Sequence, residues 1–190
     1  FQDSYIYTTF QDEVEQIKAE VKALNNLGFL EEKNKNYEKA FNYYLKSAEL
    51  NESWACNKIG EFYRLGIHVQ PDLKLAFYYY NQSITVPTSL INYYAKYNLA
   101  KYFYMNGNYE ANIEKNEELA IKFLTDASKN NIIESSIELL YYYINNNNKE
   151  KINHYINLIE NHPKYNNSIK NIIETNIKNQ KEPLNRKILN

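Results

Sequence analysis

An all-α chain, folded as an α–α superhelix of antiparallel helix pairs, is what this 190-residue sequence predicts. Three observations carry the prediction. Only four glycines and four prolines punctuate the chain, whereas a sheet protein of this length needs many more turn residues. The apolar residues recur with a helical period: Phe10, Val14, Ile17, Val21 and Leu24 form one stripe, Leu73, Ala76, Phe77 and Tyr80 another, and Ile152, Tyr155, Ile156 and Ile159 a third. Pro71, Pro87, Pro163 and Pro183 fall between stripes, where first turns and helix ends tolerate them. About nine short helices are expected.

Taken in order, residues 1–9, with Phe1, Tyr5, Ile6 and Tyr7, read as extended or loosely helical ahead of the Phe10 stripe. That segment and a leading helix make a first region, 1–21. A repeat region follows over 22–161, and 162–190 holds a capping helix (Ile169, Ile172, Ile173, Ile177) and a polar tail. Within 22–161 a small or apolar anchor recurs as Leu27-Gly28, Ile59-Gly60, Leu99-Ala100 and Leu139-Leu140. A second anchor recurs as Ala40, Ala76, Ala120 and Ile152, each followed by rings or large aliphatics three and four residues on. A small residue on one helix lets the next approach closely, and a ring one turn on fills the hollow beside it. Asn145–Asn148 is a loop between helices. The chain opens on Phe1 and not on Met, so an upstream segment is expected to be missing.

Composition narrows the function classes. With 22 basic and 23 acidic residues the net charge is -1, and Arg64 and Arg186 are the only arginines, so nucleic acid is not the expected partner. The mean hydropathy of -0.69 reflects 20 tyrosines and 30 asparagines and not a missing core, since 44% of residues are hydrophobic. Lys, Asn, Ile and Tyr all have A/T-rich codons, which marks a genome bias. Cys56 alone cannot build a disulfide framework or a cysteine zinc site, which argues against a disulfide-stabilised secreted form and leaves the compartment open between cytoplasm and organelle lumen. No apolar run approaches the ~18 residues of a membrane span.

The second unit carries the most specific pattern. From Gly60, the residues Tyr63, Gly66, Val69, Asp72 and Ala76 stand at +3, +6, +9, +12 and +16. This resembles the Sel-1-like repeat, with Gly66 ending one helix, Val69 tucked into the core and Asp72 capping the next helix. The first and fourth units resemble tetratricopeptide repeats in spacing, and the third is stretched between Ala100 and Ala120, with Gly107 in its loop. About four repeats result. The resemblance implies a concave face lined by the first helix of each pair, with ligand-facing positions at -6, -3, +1 and +4 from the anchor. Those positions are Lys22, Asn25, Phe29 and Glu32; Trp54, Asn57, Glu61 and Arg64; Tyr94, Tyr97, Lys101 and Tyr104; and Glu134, Ile137, Tyr141 and Ile144. The partner-binding set is Asn25, Phe29, Asn57, Glu61, Arg64, Tyr97, Lys101, Tyr104 and Tyr141, a mixture of rings and amide or charged groups suited to a peptide or helix.

No Gly-rich phosphate loop, G-x-S-x-G or H-E-x-x-H motif occurs, and His68, His154 and His162 stand far apart. No cofactor, metal or catalytic residue is expected. The expected function is a non-enzymatic protein-interaction scaffold, adaptor or assembly subunit whose partner is another protein or peptide. The alternative is a peptide-sensing regulatory domain whose effector domain lies upstream. Opposite charges at the two ends, acidic over 1–32 and basic over 149–190, suit docking into a larger complex.

Overall fold

The computed structural model describes residues 2–85 and 92–175, with the backbone alone for 2–9. Pro87, Pro183, Ile177 and the polar tail lie outside these residues. Helix α1 spans Gln2–Lys33, α2 Tyr37–Glu49, α3 Ser53–Leu65, α4 Leu73–Thr85 and α5 Tyr93–Leu99. Then come α6 (Glu117–Lys129), α7 (Ile133–Asn145) and α8 (Lys149–Glu160), and residues 167–175 are helical. Among the described residues there is no strand, only a lone antiparallel bridge between Asn108 and Ile113. The expected all-α class of paired helices is the one observed.

Of the extended and loosely helical readings of the N-terminus, the helical one holds and the extended one does not: the chain is helical from Gln2 onward, within the 32 residues of α1. No glycine or proline stands before Gly28 to interrupt it, and Gly28 itself lies inside the helix. A second departure follows Leu99, where α5 runs into a π-helical turn, Ala100–Tyr104, closed by the Met105 N–H on the Ala100 carbonyl at 2.9 Å. The stretched spacing of this repeat ends in a loop that Asn108 and Ile113 close with two backbone hydrogen bonds of 2.7 and 2.8 Å, with Gly107 at φ 73°.

The chain divides into two compact units, Phe1–Ala95 with Asn108–Ile113, and Lys96–Gly107 with Glu114–Asn190. In the first, Phe41, Tyr44, Cys56, Ile59 and Phe62 form the core. Cys56 keeps 3% exposure, and burial pushes its thiol up to about 11, so it packs as a small apolar residue. In the second, Ala100, Leu124, Leu139, Leu140 and Ile159 form the core, and Ile173 from the helical residues 167–175 joins it.

One contact sets the spacing of the helix pairs in the first unit. A Cβ placed on Gly60 would lie 2.7 Å from the Tyr80 ring, and one on Gly28 would run into the ring of Tyr44. Both tyrosines are fully buried. Each ring lies flat over a glycine of the preceding helix, and no larger residue fits under it. In the third repeat the corresponding residues are Ala100 and Leu124, both fully buried in one core. There a methyl group is added on one helix and a ring is replaced by an isobutyl group on the other.

Helix ends follow the predicted chemistry. Gly66 caps α3 in the left-handed region at φ 67°, Val69 packs against the core, and the Leu75 N–H donates to Asp72 Oδ1 at 2.9 Å. Asparagine does the same work elsewhere. Asn92, Asn116, Asn148 and Asn166 accept from backbone N–H groups of the helix that follows each. Asn51, Asn112, Asn131 and Asn147 take positive φ. The run Asn145–Asn148 is thus one turn that ends α7 and starts α8.

Gly60→Ala is expected to overpack the Tyr80 contact and cost about 1–3 kcal/mol. Adding Tyr80→Leu, which copies the Ala100–Leu124 arrangement, should recover part of that loss. Urea unfolding of the two single variants and the double variant checks this, and strictly additive losses would contradict it.

Candidate functional site

The first helices of the pairs (α1, α3, α5 with its π turn, and α7) carry the residues predicted to face a partner. In the first unit several of these residues are held by hydrogen bonds, some of which begin at the two buried tyrosines. Tyr44, after crossing Gly28, reaches the surface of α1 one turn on and donates its hydroxyl to Glu32 at 2.8 Å. Tyr80 crosses Gly60 in the same way, and its hydroxyl accepts from Arg64 Nε at 3.1 Å. Glu32 and Arg64 both stand at +4 from their glycine, so these positions anchor the buried rings from outside. At the third repeat the buried residue is Leu124, which has no hydroxyl, and the +4 residue is Tyr104, whose ring meets Phe123 edge-on at 5.9 Å.

Lys58 lies between two carboxylates, 2.8 Å from Glu32 and 3.2 Å from Glu61, and so ties α1 to α3. Burial alone would lower its affinity for a proton, but Glu61 and Glu32 outweigh that and hold its pKa above the ordinary value. Asn57 donates to Glu61 at 3.3 Å and keeps only 3% exposure, so this predicted contact residue is part of the interior. Asn25 donates to Glu52 at 3.0 Å, and Glu52 in turn caps α3 through the N–H groups of Trp54 and Ala55. Trp54 packs edge-on against Tyr44 at 5.2 Å. Phe29 is 49% exposed, with the Lys33 ammonium 4.8 Å above its ring.

In the second unit Lys101 performs the equivalent link. Its ammonium lies 2.6 Å from Glu138 of α7 and donates to the Tyr97 hydroxyl at 3.0 Å. Burial opposes its charge, but the bonds to Glu138 and Tyr97 prevail and raise its pKa. Tyr97, Tyr104, Ile137 and Ile144 pack against the core of this unit, and Tyr141 is half-buried. Tyr94 is 39% exposed, Lys22 is exposed, and Glu134 Oε2 is buried without a hydrogen-bond partner.

Sequence reasoning named these side chains as an expectation but missed two residues that tie them together, Lys58 and Glu138. Lys58 and Glu138 both stand two residues before an anchor, Gly60 and Leu140, a position outside the four carried over. The signal available was Lys58 three residues before Glu61, a helical ion-pair spacing. Asn57, Glu61 and Arg64 belong to the first unit, and Tyr97, Lys101, Tyr104 and Tyr141 to the second, so the structure defines one candidate surface in each.

Consecutive pairs of helices, a small residue under a ring in the first unit, and a side-chain cap before α4, α6 and α8 define a helical-repeat protein. The comparisons name the kind. A model of the Sel1 repeat matches residues 21–52, 55–85 and 94–131, over half the chain, and the chain belongs to this family. The pair α7–α8 lies beyond the matched residues. A crystal structure of a Sel1 repeat protein from Oxalobacter formigenes shares the fold with a TM-score of 0.61 at 23% identity, over 80% of this chain and 61% of that one. A protein of Schizosaccharomyces pombe described as an ERAD-associated E3 ubiquitin-protein ligase component is 36% identical over 64 residues, 34% of this chain. The chain spans 9% of that relative's length.

The network has a pH signature. Burial first, and then Glu32, raises the Tyr44 pKa above its ordinary 10.0, and Lys58 and Lys101 are raised above 10.5. For a raised group the stabilisation is present in full below the unfolded pKa and is lost as pH climbs through the folded one. The melting temperature should hold to about pH 10 and then fall. Tyr44→Phe should make that alkaline fall shallower, measured by circular dichroism melts across the range.

Proposed function

We propose that the chain is a non-enzymatic scaffold or assembly subunit that holds a protein partner on the first-helix face of its repeats, the concave face of the expected superhelix. The observation that supports this most is the fixing of charged and aromatic side chains on that face before any partner arrives. Lys58 is held by two glutamates and Lys101 by Glu138 and Tyr97. Side chains already ordered lose little freedom on binding, which favours affinity. Around them Phe29 offers an exposed ring, and Glu61, Arg64 and Tyr141 are half-exposed.

Tyr97 and Tyr104 contribute mainly by packing, and Asn57 by positioning Glu61. Family membership agrees with an adaptor role, as Sel1 repeats generally serve protein–protein interaction. Kinship with an E3 ubiquitin-protein ligase component makes a multi-protein assembly the preferred setting.

Selection of a displayed random-peptide library on the immobilised protein tests the reading. Selected peptides should bind with a Kd that rises tenfold or more in Phe29→Ala and Glu61→Ala, on the rough scale of 1.4 kcal/mol or more. The thermal melt of Phe29→Ala should stay near that of the parent. Peptides that bind equally well to both variants would place the partner elsewhere.

A further inference from the structure

Helix α1 begins well before the first repeat match, which starts at residue 21. Ahead of that point it presents an apolar seam of its own. Phe10 is 64% and Ile17 46% exposed, while Val14 and Val21 are half-buried. The seam runs at intervals of 4, 3 and 4 residues from Phe10 to Val21, the alternation by which two helices pack side by side at a shallow angle. A shallow groove of about 330 Å³ lies along it, lined by Phe10, Gln11, Val14, Glu15 and Lys18. Most of the stability of a helix in a protein comes from packing of its apolar face.

The flanks of the seam say what fits. Glu13 and Glu20, seven residues apart, border one side, and Gln11 and Lys18 the other. Asp12, Glu13, Glu15 and Glu20 are all exposed, and Lys18 is drawn to Glu15 at 2.8 Å. An antiparallel second copy of α1 would set the Glu13–Glu20 flank against itself, and in a parallel copy the one cation opposite that flank is Lys18, already drawn to Glu15, so charge does not favour self-pairing.

We propose that the N-terminal half of α1 is a docking edge for an amphipathic helix of a partner protein, with apolar residues at alternating three- and four-residue spacing and two cations seven residues apart set against Glu13 and Glu20. The apolar ridge of that helix fills the Phe10–Val21 seam, and its cations pair with the glutamate flank. This edge lies outside the repeats and does not depend on the peptide-binding face proposed above.

The test uses the whole chain and two synthetic acetylated peptides of about three heptads. Both carry leucine at the seam positions; one has lysine on its flanks and the other glutamate. Fluorescence anisotropy should show binding of the lysine peptide only, weakening at least tenfold as salt rises from about 0.05 to 0.5 M. Phe10→Asp and Ile17→Asp, at exposed positions, should each weaken it at least tenfold while the melt stays unchanged, and Phe29→Ala should leave it intact. The double variant Glu13→Lys, Glu20→Lys should switch preference to the glutamate peptide. Equal binding of both peptides, no binding of either, or binding indifferent to Phe10→Asp would overturn the proposal. So would a homodimer in sedimentation velocity that Ile17→Asp dissociates, because the seam would then belong to a second copy.

Discussion

The first unit depends on how closely two helices can approach when one of them carries no side chain at the crossing. At Gly28 and Gly60 the tyrosine ring of the next helix occupies the space a Cβ would need. Ridges and grooves interlock only where the volumes match, and here the match is an aromatic face against bare backbone. Because the ring is long, its hydroxyl emerges on the far side of the helix it crosses. The same contact that sets the packing distance therefore delivers a polar group to the outer face, and the residue waiting there is Glu32 in one repeat and Arg64 in the next. A hydroxyl both donates and accepts, so one tyrosine scaffold serves partners of either charge.

That coupling explains why the outer face is ordered. Glu32 is held by Tyr44 from within and by Lys58 from the neighbouring repeat. Half-buried ion pairs of this kind add modestly to stability but define side-chain positions closely. In the second unit the aliphatic Leu124 carries no hydroxyl, and Lys101 is held by Glu138 and Tyr97. Stacked rings complete the pairing further along each helix: Tyr63 with Tyr79 at 5.8 Å, and Tyr143 with Tyr155 at 5.7 Å, are the same two repeat positions in different repeats.

Much of this was legible before any coordinates. The anchors, the turn at Gly66, the cap at Asp72 and the pairing of helices follow from spacing, since a helical period and a breaker each have one structural meaning. The candidate face came from the resemblance alone and stands as a proposal. Two things were not legible. Sequence separation hides which side chain crosses which backbone, so the Tyr44 and Tyr80 hydroxyls and their ties to Glu32 and Arg64 could not be read. Register alone also cannot separate a residue at the rim from one beneath it, and Asn57 proved to lie beneath. The π turn at Ala100–Tyr104 left no mark in the apolar pattern because it adds a single residue's offset, within the tolerance of a stretched repeat.

The asparagines at left-handed and capping positions bear on how this sequence can drift. Substitution pressure that removes glycine meets little resistance at a turn, since Asn51, Asn131 and Asn147 hold the left-handed geometry with a side chain present. Under the tyrosine rings no such exchange exists, because there the requirement is for empty space and not for a backbone angle. Gly28 and Gly60 are therefore the positions where a biased genome has least freedom, and neutral change should gather in the loops around them.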